Sequence, residues 1–126
     1  MTKQEFAILA SAIRTYYPKE KILPNQQAMQ LWFIHLQDIP YRVAEIALEK
    51  WVINNKWSPT IADLREYVKK VYWQAMDGKE GVELFDLYDS LKKMERNEER
   101  VNNEQIQDTL AHKAVLQARV DGLPEE

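Results

Sequence analysis

Eleven of the thirteen aromatic residues stand before position 78, and this asymmetry constrains the chain more than any other feature. Phe6, Tyr16, Tyr17, Trp32, Phe33, Tyr41, Trp51, Trp57, Tyr67, Tyr72 and Trp73 lie in the first part, and only Phe85 and Tyr88 follow. A buried aromatic ring removes about 150 to 250 Å² from water, worth roughly 4 to 6 kcal/mol as an upper bound at about 25 cal/mol per Å². Ordering a residue costs about 1 to 2 kcal/mol, so a stretch poor in such side chains struggles to hold a fold alone. Charge divides at the same place. Residues 1–77 carry ten Lys or Arg against eight Asp or Glu, whereas residues 78–126 carry seven against twelve. The expectation is a folded domain over residues 1–77 and an acidic tail over 78–126, mostly disordered but able to form helix.

Several chemistries are closed to this composition. There is no cysteine, hence no disulfide, no thiolate nucleophile and no Cys-rich zinc site, and His35 and His112 are too far apart in sequence to suggest a metal set. Gly78, Gly81 and Gly122 are the only glycines, so neither a phosphate loop nor a dinucleotide fingerprint can be assembled. No apolar run reaches the roughly 18 to 20 residues that cross a bilayer, and Met1-Thr2-Lys3-Gln4-Glu5 lacks the layout of a secretion signal; a cytosolic protein is expected. The carboxylate pairs Glu45/Glu49 and Asp86/Asp89 have the spacing of one helical face, but solvated surface accounts for them without acid-base work. His35 has no nucleophile or second histidine nearby in sequence, and Ser11, Ser58 and Ser90 read as surface, cap and tail. No catalytic, cofactor-binding or metal-binding residue is assigned.

Helical periodicity runs throughout, with no alternating strand pattern. Thr2 and Glu5 have capping-box spacing, and Phe6, Leu9, Ile13 and Tyr17 recur at helical intervals before Pro18, predicting a helix over about residues 3–17. Asn25 caps a second helix with the stripe Met29, Trp32, Phe33 and Leu36. Asp38 and Pro40 open a third, with Asp38 expected to accept N–H groups of its first turn and Ala44, Ala47, Leu48, Trp51 and Val52 as its stripe. Within Trp57-Ser58-Pro59-Thr60-Ile61-Ala62-Asp63, Ser58 or Thr60 caps a fourth helix, whose stripe is Ile61, Leu64, Val68, Val71 and Ala75. Gly78 and Gly81 end it. In the tail, Leu84, Leu87, Leu91 and Met94 hold a short seam that Glu98 interrupts, and Ile106, Leu110, Ala114 and Ala118 form a weaker one. The architecture predicted is therefore all-α, a compact four-helix domain with an acidic tail.

Two surface groups invite a functional reading. Lys56, Arg65, Lys69 and Lys70 lie near Trp57 and Trp73 in sequence, a modest basic and aromatic set. On a chain of net charge −3 it falls short of a nucleic-acid footprint, so strong direct DNA binding is not expected. In the tail, Leu84, Phe85, Leu87, Tyr88, Leu91 and Met94, with Ile106 and Leu110, are apolar at helical spacing, as expected of a segment that folds against a partner.

The set Trp32, Leu36, Asp38, Pro40-Tyr41, Ala47, Leu48, Trp51 and the run Trp57-Ser58-Pro59-Thr60-Ile61-Ala62-Asp63-Leu64-Arg65 resembles the N-terminal domain of the bacteriophage helicase loader and inhibitor proteins. The likeness is closest over about residues 5–75; the tail is similar in length and character. It implies a non-enzymatic adaptor in the cytoplasm of an infected bacterial host. Such an adaptor holds the hexameric replicative helicase in its ATP-bound form, restrains its ATPase and unwinding, and hands it to the origin-bound initiator. In this family the folded part faces the initiator and the C-terminal part engages the helicase. Accordingly the eight apolar tail residues are assigned to the helicase, and Arg65, Lys69, Lys70 and Trp73 to the initiator. A monomer is expected when the protein is free. The rival reading is a small DNA-binding regulator in which the third and fourth helices form a helix-turn-helix.

Overall fold

Helix starts follow the capping residues. In the computed structural model, which describes residues 1–121 and the side chains of residues 1–101, α1 (Lys3–Tyr16) begins with a reciprocal capping box. The Thr2 hydroxyl accepts from Glu5 N at 3.1 Å, and the Glu5 carboxylate accepts from Thr2 N at 2.8 Å. Phe6, Leu9, Ala10 and Ile13 are its buried face. α2 (Gln26–Leu36) is capped by Asn25, whose side chain accepts from Ala28 N at 2.8 Å. The aromatic stripe expected to face inward is only half-buried at Trp32 and Phe33, and Leu36 is the one fully buried residue of α2. Phe33 still meets Phe6 of α1, the ring centres 5.9 Å apart.

α3 (Tyr41–Asn54) departs from expectation at its start. Pro40 occupies the N-cap and no side chain caps the helix. The Asp38 carboxylate is held instead by Arg65, 27 residues later. Ala44, Ala47, Leu48 and Trp51 are buried along α3. α4 (Ile61–Met76) has the second capping box, between Thr60 and Asp63 at 3.1 and 3.0 Å, so Thr60 rather than Ser58 is the cap. It buries Leu64, Val68, Val71, Tyr72 and Met76.

α3 and α4 make the most extensive helix pair; α1 packs on α2 and α3, and α2 on α4, so each of the four helices touches two others. Trp51 and Tyr67 meet edge to face across the α3–α4 seam, with ring centres 5.1 Å apart. The two longer connections are tied together. Tyr17 donates its hydroxyl to Asn55 O at 3.0 Å, and Ser58 N donates to a Glu20 carboxylate oxygen at 2.7 Å, while Trp51 Nε1 of α3 donates to Trp57 O of the α3–α4 connection at 2.8 Å. Leu23, in the α1–α2 connection, has φ of 53° and is nonetheless buried, its carbonyl accepting from Arg14. Left-handed backbone at a bulky residue is unfavourable, and here burial and that hydrogen bond offset it.

After α4 the chain turns at Gly78 (φ 76°), with Lys79 N bonded to Met76 O at 3.0 Å, and enters α5 (Gly81–Asp121) at Gly81 (φ 64°). A Cβ at either glycine would meet nothing, so backbone conformation rather than space is what calls for glycine. α5 passes through Glu98 without a break. The chain divides into two compact units, Met1–Leu91 and Lys92–Glu126. The first therefore takes in the opening turns of α5 as well as the four helices, and continues past the change in composition at Asp77. Ser90 shares a hydrogen bond with Tyr72, which ties α5 to α4 within that unit. In the second unit, Lys92 and Glu95 pair at 3.1 Å one turn apart. The described residues contain five helices and no strand, an all-α fold.

Candidate functional site

At about 100° per residue, the apolar positions of early α5 fan out around the helix instead of forming one row. Leu91 is fully buried and Leu87 half-buried, while Leu84, Tyr88 and Phe85 turn progressively outward, reaching 37, 46 and 66% exposure. Leu91 thus belongs to the core, which removes it from the set of exposed helicase anchors. Met94, in the second unit, is likewise buried and cannot serve as an exposed anchor. Ile106 and Leu110 lie outside the residues whose side chains are described.

Trp73, on the last turns of α4, is 56% exposed and lies beside this outward set. Together Trp73, Met76, Leu84, Phe85 and Tyr88, with Gln74, Asp77 and Gly81, line an open groove of about 790 Å³. Trp73, assigned from sequence to one partner, and Leu84, Phe85 and Tyr88, assigned to another, are therefore parts of one surface. Sequence spacing places Met76 only at the end of a helix; its position in the groove comes from the turn at Gly78, which no spacing rule reveals. A smaller groove of about 570 Å³, lined by Ile8, Ala12, Tyr16 and small residues, lies on α1.

The basic set separates. Arg65 donates from Nη1 and Nη2 to the two Asp38 carboxylate oxygens at 2.8 and 2.9 Å, and from Nη1 to His35 O at 2.7 Å. Its side chain is only 12% exposed, so it is a structural clamp joining α4 to the α2–α3 corner and not an exposed recognition cation. Lys69 is half-buried; Lys70 is exposed, its ammonium 4.6 Å from the centre of the Tyr67 ring. The helix-turn-helix alternative fares poorly on geometry, because residues 55–60 separate α3 from α4, longer than the three- or four-residue turn of that motif.

Electrostatic perturbations are those of a packed helical surface. Tyr72 is pushed up by burial, and Tyr17 likewise, by burial and then by Glu20. Tyr41 donates to Glu45, which raises the phenol and, with Arg42 beside it, lowers the carboxylate. Among the described residues no charged or polar side chain is buried, and no three His, Asp or Glu gather as metal ligands. No helix among them is long and apolar enough to cross a membrane.

Fold and site together define a small all-helical protein that presents an open groove lined by aromatic residues. A family model for the N-terminal domain of the phage helicase loader/inhibitor proteins matches residues 1–65, and the chain belongs to this family. The match spans α1 to α3 and the start of α4, including the Trp57 to Arg65 run; the groove lies beyond it. Membership associates the chain with phage DNA replication and with a replicative helicase. Neither the curated proteins nor the solved structures contain a significant match.

Proposed function

We propose that this protein is a non-enzymatic adaptor that binds the hexameric replicative helicase, restrains its ATPase and unwinding, and delivers it to the origin-bound initiator. Control then comes from binding alone: an adaptor that prefers the ATP-bound conformer of the ring stabilises that conformer and slows the cycle by linkage. The observation that carries the reading is the groove on a chain of this family, where Trp73, Leu84, Phe85 and Tyr88 are held at the surface by a folded support. Rigid, partly exposed aromatic side chains are the kind that dominate protein interfaces. The helicase contact is assigned to this groove and to α5, the initiator contact to the remaining surface of α1–α4, with Lys69 and Lys70 as candidates. The free protein is a monomer in the host cytoplasm on this reading.

The test compares the intact chain with a Phe85→Ala/Tyr88→Ala variant in helicase pull-down and ATPase assays. Both side chains are substantially exposed, so the variant keeps its far-UV circular dichroism. It should lose retention on the helicase and lose inhibition. A folded variant that inhibits as the intact chain does would refute the assignment.

A further inference from the structure

A second surface forms at the end of the bundle where α1 and α3 finish, because the two longer connections are bonded to each other there. Glu20 of the α1–α2 connection accepts from Ser58 N of the α3–α4 connection at 2.7 Å, and Tyr17 donates to Asn55 O at 3.0 Å. Those bonds set Lys19 and Lys21, on either side of Glu20, beside Lys56 and Trp57. All four are exposed, Trp57 by 65%. None of the three lysines has an ion-pair partner among the described residues. Glu20 is the one carboxylate in these two connections, and the Ser58 N–H occupies it. Lys56 and Trp57 thus part from Arg65, which turns inward, and join two lysines that stand far earlier in the chain.

The kind of cation selects the partner. Arginine, with its planar fork, matches carboxylates and is enriched at protein interfaces, where lysine is depleted; lysine offers a point charge that suits a phosphate. The three arginines of residues 1–77 are committed elsewhere, Arg14 to Leu23 O, Arg42 to Glu45 and Arg65 to Asp38. Lysine alone serves this surface, so an acidic protein segment is the poorer fit. An exposed indole adds a face on which an unstacked base can lie, and such stacking needs one open ring and no enclosing groove. Duplex DNA keeps its bases stacked and could use only the lysines. We infer that Lys19, Lys21, Lys56 and Trp57 form a contact site for single-stranded nucleic acid, with phosphates on the lysines and a base on the indole. Three phosphate contacts on a chain of net charge −3 give weak, salt-sensitive binding, unlike the strong binding that the composition argues against. The inference goes beyond the adaptor reading and does not depend on it.

The experiment titrates the full chain, at about 20 mM salt, with an oligothymidylate of about 12 nucleotides, an abasic strand and a duplex of the same length, and an oligoglutamate peptide. Amide shift mapping locates each contact. The oligothymidylate should shift residues 19–21 and 55–58 and bind with a Kd of about 100 µM, log K falling against log salt with a slope of about −2 for three phosphates. The abasic strand should bind about tenfold more weakly, and the peptide more weakly still. Trp57→Ala keeps the fold, because the Trp57 carbonyl and not its ring accepts from Trp51. It should lose about tenfold on the oligothymidylate, with the slope unchanged, and nothing on the abasic strand or the duplex. Lys19→Glu/Lys21→Glu should cut the slope to about −0.7. Lys3→Glu, at the opposite end of α1, should change affinity less than about twofold. Absence of binding at about 1 mM strand, equal binding of the abasic strand or the peptide, shifts centred elsewhere, an equal loss on the duplex from Trp57→Ala, or an equal loss from Lys3→Glu would each overturn the inference.

Discussion

Replacing Arg65 with alanine tests whether this side chain is a clamp or a recognition group. Its guanidinium makes two parallel bonds to Asp38 at 2.8 and 2.9 Å and a third to His35 O at 2.7 Å. The partners' side chains are 12 and 23% exposed, between the limits of a surface pair and a buried one. Surface pairs contribute roughly 0.2 to 1 kcal/mol, and breaking a buried pair costs about 3 to 5. With water still able to reach Asp38, Arg65→Ala should cost about 2 kcal/mol, and a double-mutant cycle with Asp38→Ala should return a coupling of about 1 to 1.5 kcal/mol. For a domain of this size that is a fall of roughly 10 °C in Tm. Arg65→Lys keeps the charge but loses the planar fork, so it should recover less than half of the loss. Urea unfolding followed by circular dichroism gives the energies. Partner binding measured well below the variant's Tm should be unchanged, since the groove lies elsewhere. A coupling below about 0.3 kcal/mol would refute the clamp, and a selective loss of partner binding by a fully folded Arg65→Ala protein would return the residue to the recognition surface.

Other perturbations have definite signs. At Leu23, where φ is 53° and the side chain is buried, Leu23→Gly should be more stable than Leu23→Ala by about 1 kcal/mol in urea unfolding, the reverse of the usual order, because alanine keeps the unfavourable backbone and glycine does not. Thr60→Ala removes the acceptor for Asp63 N and should cost about 1 kcal/mol, with Thr60→Ser close to the wild type in thermal melts. Tyr72 is raised by burial, so the folded state favours the neutral phenol. Stability from that group is present below the unfolded value of about 10 and lost as pH rises through the folded one. Tyr72→Phe should therefore lower stability modestly at pH 7, through the lost bond to Ser90, and flatten the alkaline decline seen in melts above pH 10.

Helix starts and stops were legible from neighbouring residues because capping is local. Thr2 with Glu5 and Thr60 with Asp63 close hydrogen bonds three residues apart, and Gly78 supplies the left-handed turn that ends α4. The all-α class and the buried stripe Leu64, Val68 and Val71 follow from the same short-range periodicity, and the residues from Trp32 to Trp51 together with the run from Trp57 to Arg65 carried the resemblance to the family. What spacing could not supply was the choice among partners distant in sequence. Asp38 could have capped α3, but Arg65 reaches it across the fold; Arg65 looked like an exposed cation until that reach drew most of its side chain out of solvent. Leu91 and Phe85 sit in the same apolar series, yet one is core and the other surface, because only docking against another element decides which arc of a helix is covered. The groove itself is such a product: Trp73 and Tyr88 become neighbours through the turn at Gly78 and the bond between Tyr72 and Ser90, contacts made in space and carried by no local pattern.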